Sequence, residues 1–278
     1  MMAEHRDISV NGASYHTARF GLQPAPALLL LHGFTGSSQN WAHHIPVFSE
    51  QFSVISVDIL GHGRSASPSD PDRYTMPLVA ADLIALLDAW QIEQSALLGY
   101  SMGGRLALYL ACRYPERFSH LILESSSPGL ASEEERAERR QNDEALADWI
   151  EANGVAAFVA RWEAMPLWAS QQQLSEEVRL QLRRQRLQNN PVGLANSLRG
   201  MGTGAQPSLW NALPNLHLPT LLMVGELDSK FVTINKKMAA TLPDGRLHII
   251  PQAGHTTHLE RPKLFATAVN NFLTASHF

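Results

Sequence analysis

SALLGYSMGGRLALYLACR, residues 95–113, is the stretch that decides the fold. An apolar run, SALLGY, leads into a serine set among glycines, and a helical pattern follows over 102–113. Gly99-Tyr100-Ser101-Met102-Gly103 has the G-x-S-x-G form. Its glycines permit a strained strand-to-helix turn that exposes the serine hydroxyl. The pentapeptide alone is common enough to occur by chance, and its bland reading is a structural Gly-Ser turn. The apolar strand before it and the helix after it predict a nucleophile elbow at Ser101.

Working outward, the same short apolar run recurs as ALLLLH (27–32), FSVISVD (52–58), HLILES (120–125), TLLMVG (220–225) and RLHII (246–250). Such runs suit strands buried on both faces of a parallel sheet. Helical patterns lie between them at about 77–90, 102–113, 230–242 and 262–274. Apolar strands alternating with amphipathic helices predict an α/β fold with a mostly parallel central sheet flanked by helices. Ahead of them, 6–10 and 13–20 read as two strands around the hairpin turn Asn11-Gly12. Residues 128–206 break the alternation, with helical and charged sequence and no strand signal. That is too long for a loop. It predicts a helical cap over 128–206, inserted into a core made of 1–127 and 207–278.

With 278 residues, 45% of them hydrophobic, the chain is long enough to bury one large core. A net charge of −4 gives no support to nucleic-acid binding or to a stable, polybasic membrane association. The single cysteine, Cys112, excludes an internal disulfide or a multi-cysteine metal cage and reads as a buried structural thiol. No H-E-x-x-H or similar ligand spacing occurs among the twelve histidines, so no metal is expected and most histidines read as surface or strand residues. The start of the chain has no apolar segment behind a basic one and no run is long enough to span a bilayer, so a cytoplasmic protein is expected.

A serine nucleophile needs a base, and the base needs an orienting carboxylate. In this chain order the acid precedes the histidine. Asp228 in MVGELDSKF and His255 in IIPQAGHTTHLERP each follow an apolar strand, which puts both on the sheet edge that carries Ser101. The competitors are Glu226, readable as a surface or packing carboxylate, and His258, readable as a residue that helps start the final helix. HGFTGSS (32–38) predicts the rest of an oxyanion hole, with the backbone N–H of Phe34 opposite that of Met102.

Arg105, one turn after Ser101, is a permanent charge that an ordinary esterase does not need. Together with HGFTG (32–36), SPGL…RAERRQND (127–143), RLQNN (186–190), GELDSKF (225–231) and AGH (253–255), GYSMGGR makes the whole chain resemble the α/β-hydrolase superfamily. Within it the chain resembles the MenH family, the 2-succinyl-6-hydroxy-2,4-cyclohexadiene-1-carboxylate (SHCHC) synthases of menaquinone biosynthesis. The resemblance implies a cofactor-free lyase acting on a small tricarboxylate. It implies that Arg105, Arg139 and Arg186 bind the carboxylates and that Tyr100 and Trp162 are pocket aromatics. A guanidinium fork suits a carboxylate and stays charged. Spacing alone does not single out Arg139 and Arg186, because Arg136, Arg140, Arg183 and Arg184 surround them and Glu135 could pair with Arg139. Trp162 could equally be core packing. Lys230 matches the family motif without a definite role, and Glu163 stands where the family often has a second aromatic after the tryptophan. A carboxylesterase or C–C bond hydrolase of the same fold is the rival reading.

Overall fold

A computed structural model describes residues 3–21 and 23–275. Within these residues eight strands form one sheet: β1 (Glu4–Val10), β2 (Ala13–Phe20), β3 (Ala27–Leu31), β4 (Ser53–Val57), β5 (Ser95–Tyr100), β6 (Phe118–Glu124), β7 (Thr220–Gly225) and β8 (Gly245–Ile250). Their order is β1-β2-β4-β3-β5-β6-β7-β8, with β1 and β2 antiparallel and every pairing from β4 to β8 parallel. Among the described residues nine α-helices connect or flank them: α1 (Ile45–Phe48), α2 (Met76–Ala89), α3 (Met102–Arg113), α4 (Glu133–Glu163), α5 (Glu176–Leu187), α6 (Pro191–Met201), α7 (Ser229–Thr241), α8 (Thr257–Glu260) and α9 (Pro262–Ala275).

The continuous apolar runs are explained by burial on both faces. Side chains alternate across a strand, so Leu29, Leu31, Leu97, Leu121, Leu123 and Leu222 join α2 and α3 in one core. Leu28, Leu30, Leu98, Ile122, Leu221 and Met223 join α1 and α9 in the other. Each layer needs its own apolar residues, which leaves no polar alternation to read.

Between β6 and β7 the described chain contains no strand. Helices α4, α5 and α6, with a 3-10 segment Pro166–Gln173, fill this stretch. The insertion has a small core of its own, built by Ala147, Ile150, Phe158, Val159, Leu194, Ala195 and Leu198. Phe34 and Trp162 pack against it, so the insertion is seated on the loop after β3. Gly154, at φ 77°, breaks α4 into two arms. The second arm carries Trp162 toward Phe34, with ring centres 5.5 Å apart. Among the described residues no helix is long and apolar enough to cross a membrane.

Candidate active site

The turn after β5 places Ser101 at φ 51° and ψ −106°, a strained conformation for a residue with a side chain. Two contacts explain why glycines flank it. A Cβ on Gly99 would come within 2.3 Å of the Gly103 carbonyl, and one on Gly103 within 2.4 Å of the Leu31 and His32 carbonyls. The backbone N–H of Ser101 donates to the Glu124 carbonyl at 2.8 Å, tying the elbow to the end of β6.

Asp228 ends the turn after β7, and His255 lies in the loop after β8. The structure brings both to the serine. His255 Nε2 lies 3.0 Å from Ser101 Oγ, and its Nδ1 lies 2.6 Å from Asp228 Oδ2. Asp228 and His255 are buried while Ser101 is partly exposed. With Nδ1–H donating to the carboxylate, Nε2 is the acceptor for the serine proton. The rival groups are engaged elsewhere. Glu226 is exposed and accepts from the Gln252 amide at 2.9 Å.

His258 does something that no local pattern suggests. It is wholly buried, and its Nδ1 lies 2.8 Å from Glu124 Oε2. Glu124 Oε1 also accepts from Thr257 Oγ1 at 2.6 Å and from the His258 amide at 2.9 Å. Burial alone would push the Glu124 carboxyl up. The His258 charge and these hydrogen bonds outweigh that and hold it below the usual range. Glu124 thus grips the nucleophile turn with its carbonyl and the base loop with its carboxylate.

Phe34 and Met102 flank Ser101 in one cavity of about 800 Å³. Among the described residues no hydrogen bond engages the backbone N–H of either one. Met102 opens α3, where helix geometry leaves its amide without an internal partner. Arg105, Arg139 and Trp162 line the same cavity. Arg105 donates to the Met201 carbonyl at 2.8 Å and to Gln206 Oε1 at 3.0 Å. Burial, aided by repulsion from Arg139, lowers its guanidinium to about 10, still cationic at neutral pH. Arg139 pairs with Asp143 at 2.8 Å, not with Glu135, whose carboxylate instead caps α4 through the Ser132 amide. Asp143 also accepts from the Gly204 amide, so Arg139 is held from both ends of the insertion. The competing Arg136 and Arg140 are tied to Glu133, and Arg183 to Glu163.

Arg186 and Tyr100 are not brought to this cavity. Arg186 is buried, lies 3.1 Å from Glu163 and 3.4 Å from Gln171 Oε1, and lines two smaller cavities. The physical reason is Glu163, whose carboxylate takes the guanidinium where an aromatic would not. Tyr100 is turned beneath the elbow, with its hydroxyl 3.1 Å from Thr256 Oγ1 and its ring 4.8 Å from that of His258. It lines the smaller cavity behind Phe34.

Residues that no sequence pattern singles out also belong to the site. Gln206, which orients Arg105, offers no sequence signal beyond its place in MGTGAQP. The Phe231 ring packs 4.7 Å from His255, and Trp168 packs 5.6 Å away on another side. Cys112 is only partly buried, yet burial still pushes its thiol up to about 11. Several histidines, including His32, His44, His62 and His258, are buried off the strands. No cluster of three metal-ligating side chains occurs among the described residues.

Comparison with known proteins places the chain in a family. The profile of the α/β hydrolase fold family matches residues 26–262. A Bacillus subtilis (strain 168) protein provisionally named 2-succinyl-6-hydroxy-2,4-cyclohexadiene-1-carboxylate synthase is 46% identical over 95% of this chain and 96% of its own. The Salmonella schwarzengrund (strain CVM19633) protein of the same name is 37% identical over 89% of this chain and 94% of its own. The solved structure of MenH from S. aureus superposes with a TM-score of 0.89 at 39% identity, covering 94% of this chain and 98% of that one. The chain therefore belongs to the α/β-hydrolase fold family and, within it, to the SHCHC synthase (MenH) family.

Proposed function

We propose that this chain is a lyase of menaquinone biosynthesis, cytoplasmic and needing no cofactor. It converts 2-succinyl-5-enolpyruvyl-6-hydroxy-3-cyclohexene-1-carboxylate (SEPHCHC) to SHCHC and pyruvate. The observation that carries the reading is one cavity holding both the Ser101–His255–Asp228 relay and the guanidiniums of Arg105 and Arg139. A hydrolase of neutral esters needs the relay but has no use for the two cations. The 128–206 insertion acts as the cap that brings Arg139 and Trp162 over the reacting serine.

The ring numbering of substrate and product defines the step. The proton leaves C2, beside the succinyl carbonyl. The electron pair left at C2 forms the 2,3 double bond, the 3,4 pair shifts to 4,5, and the C5–oxygen bond breaks with its electrons on the enolpyruvate oxygen. Ser101 Oγ, relieved of its proton by His255, takes the C2 proton as general base. His255 holds the displaced proton as an imidazolium stabilised by Asp228. The proton is returned to the enolpyruvate carbon, giving pyruvate. Negative charge that develops on the succinyl oxygen meets the unengaged amides of Phe34 and Met102. A donor of that kind contributes about 10²–10³ in rate. Arg105 and Arg139 each take a substrate carboxylate, a charge-assisted contact worth about 1.5–3 kcal/mol.

The test is pyruvate release from SEPHCHC by the wild-type protein, with a panel of short esters assayed beside it. Release far above the spontaneous rate, with negligible ester turnover, is the expected result. Ester hydrolysis without pyruvate release would replace the lyase reading with the hydrolase one.

A further inference from the structure

Both hydrogen bonds of Arg105 leave from one nitrogen, Nη1, and both end on neutral oxygens. They are the Met201 carbonyl at 2.8 Å and Gln206 Oε1 at 3.0 Å. Among the described residues no hydrogen bond engages its Nε or Nη2, and no carboxylate lies within ion-pair distance of it. Other arginines of the insertion region are held by acids, Arg139 by Asp143 and Arg199 by Glu144, Asp148 and Glu151. The Nε and Nη2 hydrogens share one edge of a guanidinium and are spaced to meet both oxygens of a carboxylate. With Nη1 tied back, that edge is the one left for a ligand of the large cavity, which Arg105 lines.

Gln206 is fully buried in the segment after α6, where its backbone amide donates to the Gly202 carbonyl at 3.0 Å. Its side-chain Nε2 has no partner. It is packed so closely on the turn before α4 that a Cβ on Gly129 would come within 3.2 Å of it. A buried donor without an acceptor is destabilising. A glutamate of the same shape would remove that donor and give the buried guanidinium a counter-charge. Stability therefore does not explain the amide. What an amide does, and a carboxylate cannot, is fix Nη1 while leaving the whole positive charge free.

We infer that Gln206 positions Arg105 for two-point capture of a substrate carboxylate through Nε and Nη2, and that its neutrality sets the strength of that capture. The inference rests on the carboxylate role given to Arg105 above and adds how its charge is aimed and kept free.

Two variants of the full chain test it. Gln206→Glu keeps the shape and places a counter-charge on Nη1. In steady-state pyruvate release from SEPHCHC it should raise KM by about 10- to 100-fold, with kcat changed by about threefold or less, and should melt no lower than wild type. Gln206→Met keeps the bulk and removes the acceptor. It should raise KM by about three- to tenfold alone and by less than about twofold beside Arg105→Gln, because Gln206 acts through Arg105. A wild-type KM in Gln206→Glu, or an equal effect of Gln206→Met with and without Arg105, would overturn the assignment. A raised KM that comes with a much lower melting temperature would mark Gln206 as structural and overturn it too. Calorimetric titration of propane-1,2,3-tricarboxylate separates this inference from the lyase reading. Binding about tenfold or more weaker in Gln206→Glu supports the role of Gln206 even if the wild type releases no pyruvate, in which case only the lyase reading falls. Equal binding by the two proteins, or none by the wild type, counts against Gln206.

Discussion

At the sheet edge, Ser101, Asp228 and His255 stand on turns fixed by backbone contacts. In the insertion, Arg139 stands on an exposed helix and is aimed by a side-chain pair with Asp143. The two regions face one cavity but are held by different forces. Around the elbow, two glycines admit carbonyls that a single methyl group would strike. A reacting hydroxyl must be placed to fractions of an ångström, and close backbone contact does that. A guanidinium that recognises a carboxylate tolerates more slack, and an ion pair on a helix suffices. In the proposed function, chemistry falls to the rigid sheet edge and substrate choice to the insertion.

This contrast can be broken at either end. The largest effect is expected from Gly103→Ala, whose new methyl would meet two carbonyls at 2.4 Å. We expect a loss of about 4 kcal/mol or more of stability, seen as insoluble protein or a greatly lowered melting temperature. Arg139→Gln should fold and melt close to wild type, because its charge is exposed. Equal melting of the two variants would erase the contrast.

Acid should loosen the same rigid side. Burial, helped by His258, lowers His44 to about 4, and burial, helped by His32, lowers His62 to about 3. Both are neutral when folded, whereas the unfolded imidazoles titrate near 6.5. Their stability is complete above pH 6.5 and is lost as pH falls toward those folded values. By pH 5 each site contributes a loss of about 2 kcal/mol. Melting curves from pH 8 to 5 should show this, and His44→Gln should flatten the profile. A pH-independent wild-type melting temperature would contradict it. The smallest effect is expected at Gly154, where φ is 77° but a Cβ would meet nothing within 4 Å. Gly154→Ala should cost about 1 kcal/mol from the backbone alone. Hydrogen exchange should rise in α4 and α6 while the sheet stays protected.

The sheet and the proximity of Ser101, Asp228 and His255 are legible in the sequence because both are written locally. Each strand is a short apolar run, and Ser101, Asp228 and His255 each directly follow one. The strand ends moved by only a residue or two, as at β1, which starts at Glu4. The elbow glycines were equally plain, since their spacing is set by contacts within one turn. What escaped is non-local. Glu124 and His258 are 134 positions apart, and neither is polar in a context that predicts a buried pair. Arg186 shows the same limit. The MenH resemblance places it in the substrate pocket, while Glu163, 23 positions earlier, holds it elsewhere. Glu163 was visible as a departure, but its consequence depends on how α4 and α5 meet.

In the proposed function, sheet-edge chemistry and cationic recognition act on one bound molecule. Steady-state pyruvate release from SEPHCHC by Ser101→Ala and Arg105→Gln tests it most directly. Ser101→Ala should lower kcat by about 10³-fold or more with KM little changed, and Arg105→Gln should raise KM by about tenfold or more. Near-wild-type kcat in Ser101→Ala, or an unchanged KM in Arg105→Gln, would contradict it.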